Sequence, residues 1–600
     1  MQTLFNYLLE RREKYADFPA IQFKDQGRWI RYNWREYVAL IEAFGAALIK
    51  SGIMPGDRIA IISSTRPEWI IADLAIMGVG AVTVPVYPNN TDDDMDFIIK
   101  NSGASAVIVE NANQYEKWRR LKGPLPDIKL LIGIDAKTFE SKSYTSAASS
   151  PTHMVWSEML ETGREQLKAD SRTYFDRARE VKLDDLATLV YTSGTTGSPK
   201  GVVLCHEQIM SEVTDAFSIV AVTHEDVSLS FLPYSHILGR LEAWGNVYAG
   251  YLLAFAESIE KIRANLIEVK PTFIISVPRI FEKIYASLLA QIENNKTKKR
   301  VFDRAFAIGQ KVSEAEQNRS PLNLPLLLEH KIADTLVFSK VRENLGGRLR
   351  FAVSGGAPLS EDIARFFHGL GLLICEGYGL TETTAGVAFN TPIAYKIGTV
   401  GRPIGDVTIK FAEDGEILVK SKKVMREYYN NEAATNEVFA GDFFKTGDIG
   451  FLDDDGFLRI TDRKKDLIKT ANGKYVAPQK LENLLKSNPY ISNVLIHGDK
   501  KKYIIALITL NWATIKKFAA SENIEYASQG DLTKNSAIYN LIKDAVADVN
   551  SRLASHESIK KFAILPGDFT IDSGELTPSL KVKRKVCDQK YCAEIEALYN

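Results

Sequence analysis

Short apolar runs alternate with longer segments of helical pattern between residues 50 and 380, which predicts an α/β fold built on largely parallel sheets. After Thr399 hairpin signals take over, which predicts a β-rich part at about 399–462. From 464 onward helical stretches mix with a hairpin, which predicts a small α+β unit. The expected architecture is a large N-terminal domain over 1–463, with parallel-rich sheets, helices and the β-rich part, followed by a small mobile C-terminal lid over 464–600.

In chain order, the segment Met1–Glu10 reads as a short helix. Candidate strands follow at Arg58–Ser63, Ala81–Val86, Ala106–Glu110, Leu130–Ile134, Ala187–Tyr191, Phe273–Val277, Arg350–Val353 and Leu372–Glu376. They are continuous apolar runs, the pattern of strands buried on both faces. The stretch from about 285 to 345 is long, polar and helical, and reads as a helical insertion on that core. Val407–Phe411 and Glu416–Lys420 flank Ala412-Glu-Asp-Gly415; Asp448–Leu452 and Phe457–Thr461 flank Asp453-Asp-Asp-Gly456. Both are antiparallel hairpin signals. The charged run Asp462-Arg-Lys-Lys-Asp466 reads as a linker or hinge. Beyond it come helices at Lys480–Lys486 and Ala537–His556, and a hairpin of Val494–Ile496 with Tyr503–Leu510.

Composition sets bounds. With 600 residues the chain exceeds what one core covers, so at least two domains are expected. Lys+Arg equals Asp+Glu at 75 each, so no global charge draws the chain to nucleic acid or to an anionic membrane, with local patches left open. The cysteines at 205, 375, 587 and 592 lack metal-ligand spacing, and their sparseness fits a reducing compartment. There is neither a signal-peptide pattern nor an apolar run long enough to span a membrane. The expected location is the cytoplasm, with a peripheral seat on the inner face of a membrane left open, as monomer or homodimer.

The chemistry concentrates in one loop. The strand ending at Tyr191 runs into Tyr191-Thr-Ser-Gly-Thr-Thr-Gly-Ser-Pro-Lys-Gly201. Glycines let backbone N–H groups approach an anion, hydroxyls add donors, and a lysine adds a point charge, so the loop suits a polyphosphate. It is not the Walker pattern, because no Gly-Lys-Ser/Thr follows at the required spacing. The loop resembles the phosphate-loop signature of the adenylate-forming superfamily, which includes acyl-CoA synthetases. The other motifs of that family follow in order: Ser354-Gly-Gly-Ala-Pro358, Glu376-Gly-Tyr-Gly-Leu-Thr-Glu382, Lys445-Thr-Gly-Asp448, Asp462-Arg463 with Lys465, and Glu575-Leu-Thr-Pro-Ser-Leu-Lys581.

The resemblance implies a site. Thr192, Ser193, Gly194, Thr195, Thr196, Gly197 and Lys200 would hold ATP phosphates. Gly356, Ala357 and Pro358 would lie against adenine, with Glu376, Gly377, Tyr378 and Gly379 beside them; Tyr378 would stack on the base. Thr381 would contact the α-phosphate, and Glu382 with Thr192 would hold Mg²⁺. Asp448 and Arg463 would bind ribose, Lys465 would be the pivot of a domain rotation, and Lys469 and Gly473 would enter with the lid for the CoA step. Lys581 would be the catalytic lysine. Many members have Gly-Lys there, whereas this chain has Leu580-Lys581, so Lys583, Arg584 and Lys585 stay open as alternatives.

Substrate class rests on other segments. Phe231-Leu-Pro-Tyr-Ser-His-Ile-Leu-Gly-Arg240 and Lys270-Pro-Thr-Phe-Ile-Ile-Ser-Val-Pro-Arg-Ile-Phe-Glu-Lys-Ile-Tyr285 resemble long-chain fatty acid–CoA ligases, as does the helical insertion. His236 would then gate the acyl tunnel. The implied reaction turns a long-chain fatty acid, ATP and CoA into acyl-CoA, AMP and pyrophosphate. Delivery to a carrier protein, a medium-chain or aryl acid, and a noncatalytic nucleotide-binding protein are the rival readings.

Overall fold

The computed structural model describes residues 2–122, 125–140, 151–192, 198–293, 296–571, 573–577 and 581–600, with the side chains of 290–293 outside that description. A mixed α/β architecture is observed. The first large sheet has seven strands in the order Thr152–Val155, Leu130–Gly133, Ala106–Val109, Arg58–Ile62, Val82–Val86, Leu186–Thr192, Lys200–Cys205. Every pairing is parallel except the last, where Leu186–Thr192 and Lys200–Cys205 form an antiparallel pair. The second has nine strands, with a parallel centre running from Leu373–Tyr378 through Phe351–Ser354, Phe273–Ser276, Val227–Ser230 and Leu252–Phe255 to Pro19–Asp25. Antiparallel strands close it at both ends.

The central strands are apolar on both faces because both faces are covered. Ile59 and Ile61 pack into the main core, while Ala60 and Ile62, on the opposite face, pack with Met95, Ile98 and Ile99. The helix Pro67–Gly78 is buried along nearly its whole length and belongs to the same core as both sheets. Its only buried charged residue, Asp73, meets Arg240 of the helix Ile237–Ala249. The guanidinium donates to Asp73 Oδ1 at 2.5 Å and to Thr188 Oγ1 at 2.7 Å, and Trp244 Nε1 donates to Asp73 Oδ2 at 3.1 Å. Arg240 and Asp73 are fully buried. An ion pair this dry persists because its hydrogen-bonding groups are matched.

The β-rich part is a five-stranded sheet of Thr408–Phe411, Glu416–Lys420, Phe443–Leu452, Phe439–Ala440 and Leu458–Arg463. Both expected hairpins are present. The charged run is not all linker: Asp462 and Arg463 finish a strand, and the turn begins after them. The C-terminal unit has a three-stranded sheet, Ile491–His497, Ile504–Leu510 and Ile559–Ile564, with helices on both faces. Its apolar residues form clusters of their own, separate from the main core.

Element ends differ in places from the sequence reading. The first helix is Leu4–Lys14, and the one expected to reach His556 stops at Ser551. Strands at Pro19–Asp25, Arg28–Asn33, Thr152–Val155, Lys200–Cys205, Val227–Ser230 and Leu252–Phe255 were not anticipated. Polar residues break the apolar pattern in some of them: Ser228 and Ser230 are fully buried, Ser228 donates to Glu242, and Arg28 and Arg31 are exposed.

Candidate active site

A cavity of about 620 Å³ opens where the C-terminal ends of the central strands meet the β-rich part and the C-terminal unit. Strands of both sheets end in loops there, the usual place for a site in open α/β sheets. Thr192 and Lys200 face each other in register across the antiparallel pair, and both line the cavity. The intervening Ser193, Gly194, Thr195, Thr196 and Gly197 lie outside the described residues.

The turn after Leu373–Tyr378 is tightly built. A Cβ on Gly379 would come within 1.5 Å of the Ala385 carbonyl oxygen, so only glycine fits. Thr384 and Ala385 both take positive φ, at 55° and 93°. Backbone strain of this kind is held only where surrounding bonds over-determine it. Here Thr384 Oγ1 donates to the Lys423 carbonyl at 2.7 Å, and Met425 N–H donates to the Glu382 carbonyl at 2.7 Å. Thr381 and Glu382 are thereby presented to the cavity.

Tyr428, which carries no motif signal, completes this corner. Its segment adds to the free edge of Lys200–Cys205, with Tyr429 N–H donating to the Gly201 carbonyl. Its hydroxyl donates to Glu382 Oε1 at 2.7 Å, and Lys200 Nζ sits 4.8 Å from its ring centroid. One ring thus contacts both the lysine and the carboxylate. An oxygen-only set of Glu382 carboxylate and Thr192 hydroxyl suits a hard cation held mostly by substrate phosphates and water. Among the described residues no group of three or more acidic, His or Cys side chains is placed to hold a metal ion by itself.

On the opposite wall Arg463 lines the cavity, and strand register puts Asp448, buried behind it and not itself a lining residue, directly across from it. Arg463 Nε donates to Asp448 Oδ1 at 3.0 Å and Tyr378 Oη donates to Oδ2 at 2.6 Å. The Asp448 carboxylate is fixed by two donors and keeps lone pairs for further donors such as vicinal hydroxyls. Gly356, at φ 79°, lines the cavity, and a Cβ there would meet only the Val277 side chain, at 3.9 Å.

Lys581 reaches in from the C-terminal unit. It is held by a local ladder: Thr577 N–H donates to its carbonyl and its own N–H to Thr577 Oγ1. Burial, and next the positive charge of Arg463, push its pKa down to about 8. Of its basic neighbours, Arg584 is committed to Glu482 at 2.7 Å, and neither Lys583 nor Lys585 lines the cavity. His236 caps the helix Ile237–Ala249: its Nδ1 accepts from Leu238 N–H at 3.2 Å, so in the neutral ring the proton resides on Nε2. Burial, and next the charge of Lys581, push His236 down to about 4. It stays neutral near pH 7, a donor rather than a cation.

Eight further lining residues form an apolar stretch of the wall, with the buried Glu212 beside it. Ala216, Phe217 and Val220 come from one helix and the residues after it, Leu241 from the next, and Phe273, Ile275, Phe351 and Val353 from two adjacent strands. The rings of Phe273 and Phe351 stack at 5.7 Å, at the start of their strands. Gly355 and Gly356 lie past the other end. A four-residue strand spans about 10 Å, so the cavity runs at least that far along the sheet.

Several expected residues lie off the cavity. Glu376 is buried below it, accepts from Leu359 N–H at 3.2 Å and is pushed up to about 8 by burial, so its side chain secures the 354–359 turn. Ala357 and Pro358, exposed in that turn, are not among the lining residues. Lys465 lines the cavity; Lys469 lies over the Tyr475 ring and Gly473 sits in a turn, both outside it.

Residues 8–429 match the AMP-binding enzyme family, and 465–600 match the AMP-binding enzyme C-terminal domain. The chain belongs to the AMP-binding enzymes. Within this family it is 38% identical over 596 residues to the long-chain-fatty-acid–CoA ligase FadD15 of Mycobacterium tuberculosis, covering 99% of this chain and 96% of that protein. It is 29% identical to the peroxisomal long chain acyl-CoA synthetase 7 of Arabidopsis thaliana, covering 100% and 86%. Among solved structures, the adenylation domain of a Mycobacterium chelonae carboxylate reductase superposes with a TM-score of 0.73 at 23% identity, covering 100% and 91%. A fatty acyl CoA synthetase of M. tuberculosis superposes at 0.60 and 21%, covering 99% of each chain. These two likenesses concern the fold.

Proposed function

We propose that this AMP-binding enzyme is a long-chain fatty acid–CoA ligase. The observation that carries the reading is that one cavity joins two unlike linings: Lys200, Glu382, Arg463 and Lys581 on one side, and a wall of eight apolar side chains on the other. The near full-length similarity to long-chain-fatty-acid–CoA ligases supports the substrate class.

In the first half-reaction a carboxylate oxygen attacks the α-phosphorus of ATP, the bond to the bridging oxygen breaks, and pyrophosphate leaves. The product is an acyl-AMP mixed anhydride. Catalysis of this step is positioning and charge stabilisation. Lys200 and the adjoining loop hold the phosphates, Asp448 and Arg463 hold the ribose, and Tyr378 packs on adenine from its hydroxyl anchor. Glu382 and Thr192 would hold Mg²⁺, which supplies charge neutralisation beside the phosphates when bound. Lys581, cationic below about pH 8, stands where negative charge grows on the phosphorus centre. His236 offers its Nε2–H to the reacting carboxyl group at the join between the two linings.

The acyl chain lies along the apolar wall, where each buried CH₂ gains about 0.8 kcal/mol. In the second half-reaction the CoA thiol attacks the acyl carbon and AMP leaves. We take 463/464 as the domain boundary, with the C-terminal unit turning about Lys465 between steps, so that Lys581 withdraws and Lys469 and Gly473 approach. ATP–pyrophosphate exchange measured with a panel of acids tests the reading. Stimulation that grows with chain length is expected, followed by thioester formation with CoA as the only acceptor. No stimulation at any chain length would overturn it.

A further inference from the structure

A buried ion cluster stands behind the corner that carries Thr381 and Glu382. Lys423 Nζ lies 2.9 Å from Asp215 Oδ2 and 3.3 Å from Glu212 Oε2, and the Lys423 and Glu212 side chains are each 1% exposed. Both carboxylates come from the helix His206–Ser218, which also gives Ala216 and Phe217 to the apolar wall. Each carboxylate is pressed against a glycine. A Cβ on Gly386 would stand 2.3 Å from Glu212 Oε1, and one on Gly405 would stand 1.6 Å from Asp215 Oδ2. The Gly386 N–H also donates to the Glu212 carboxylate. No step of the proposed reaction uses these three side chains.

The chain from Lys423 to Tyr428 connects them to the site. The Lys423 carbonyl accepts from Thr384 Oγ1 at 2.7 Å. Two residues on, Met425 N–H donates to the Glu382 carbonyl at 2.7 Å, and Tyr428 Oη donates to Glu382 Oε1 at 2.7 Å. One short stretch therefore holds Glu382 by its backbone and by its carboxylate. Lys423 begins that stretch and fastens it to the helix, while Glu212 meets the end of the same turn at Gly386. A buried ion pair is a poor source of stability, because desolvation offsets its attraction. It does fix position, since a shift of any one group strands a charge away from water.

We propose that Lys423, with Glu212 and Asp215, is a positioning residue for the adenylation step. It sets the place of Glu382, and so of the Mg²⁺ that Glu382 would hold, from the helix that lines the apolar side. The proposal rests on the acyl-activation reading only for the reaction served; the placing of Glu382 stands or falls without it.

The triple variant Glu212→Gln/Asp215→Asn/Lys423→Met removes all three charges at nearly constant volume. Exchanging buried charges for neutral groups of similar size is often neutral for stability, and the glutamine keeps an acceptor for the Gly386 N–H. ATP binding to the full-length protein is followed by calorimetry as Mg²⁺ is varied, with no acid present. The Mg²⁺ needed for half-maximal binding is expected to rise about tenfold, and kcat of ATP–pyrophosphate exchange to fall about ten- to a hundredfold, as for a group displaced by up to about 1 Å. The melting temperature and the KM for the acid should change little. A folded variant with the wild-type Mg²⁺ requirement would overturn the proposal. So would one altered only in the KM for the acid, because the cluster would then serve as wall alone. If the triple variant does not fold, Thr384→Val decides, since it removes only the hydroxyl that ties the turn to the Lys423 carbonyl. A rise of about three- to tenfold in the Mg²⁺ requirement is expected from that one hydrogen bond, and no rise would overturn the proposal. A wild type that shows no exchange with any acid, beside variants that still shift the Mg²⁺ requirement of ATP binding, would strike the acyl-activation reading and leave the positioning role in place.

Discussion

The two linings of the cavity are built in different ways. The polar side is assembled from short contiguous strings, each at the end of a strand, with partners fixed by register: Thr192 opposite Lys200, and Asp448 opposite Arg463. The apolar side is assembled from four elements far apart in sequence, each contributing only one to three of its residues. A phosphate is recognised by several donors converging on a point, so neighbouring backbone positions must cooperate. A hydrocarbon is recognised by area alone, which any apolar side chain supplies. Substitutions on the polar side should therefore be unforgiving, and those on the apolar side graded.

The largest expected effect is at Lys581. Lys581→Ala should cut ATP–pyrophosphate exchange by about 10³-fold, in the range of a lost transition-state donor, while preformed acyl-AMP is still converted to thioester. Normal exchange in that variant would end the assignment and return Lys583 and Lys585 to consideration. Next comes the wall. Val353→Phe should leave exchange with short acids intact and lower kcat/KM for long ones by about fourfold for each methylene it displaces, from about 0.8 kcal/mol per CH₂. A uniform loss across chain lengths would show that Val353 does not bound the acyl chain.

A smaller effect concerns pH. Burial and Arg463 hold Lys581 near 8, so it is charged below that value and neutral above it. The adenylation rate should fall as pH rises through about 8 in kcat/KM, which reports the free enzyme. His236, held near 4 and neutral above it, should add no limb between pH 5 and 8. Lys581→Arg should move the falling limb upward; an unmoved limb would assign it to another group. The mildest change is Tyr428→Phe, which keeps the ring under Lys200 and removes one hydrogen bond to Glu382. A loss of about three- to tenfold, seen mainly as a raised Mg²⁺ requirement, is expected for a hydrogen bond worth about 0.7–1.4 kcal/mol net. A variant indistinguishable from wild type would show that Glu382 needs no such anchor.

The contrast also explains what the sequence could show. Central strands such as Arg58–Ile62 and Phe273–Ser276 are legible because burial on both faces leaves an unbroken apolar run. Edge strands such as Arg28–Asn33 are not, since one flank meets water and the pattern RWIRYN follows neither period. The polar site was spelled in strings and could be assigned residue by residue. Tyr428 escaped because its place depends on a long-range pairing with the edge of Lys200–Cys205. Glu376 belonged to a recognised string, yet its side chain turned under the sheet to hold Leu359, which only packing determines. The apolar wall had no spelling: Phe217, Leu241 and Val353 are ordinary core residues until the fold brings them to one surface.

Gly379 leads to a consequence for how this protein tolerates change. The space its missing side chain leaves is filled by a carbonyl oxygen of the strained turn that holds Thr381 and Glu382 forward. No second residue type can be written there without unmaking that turn. In a library of variants screened only for soluble expression, position 379 should therefore vary only where the chemistry is already gone. The loss would look like damage to the active site although no reacting group had been touched. Such a position is a blind spot for evolution by small steps: neighbouring residues can drift and be compensated, but here structure and catalysis share one atom's worth of room.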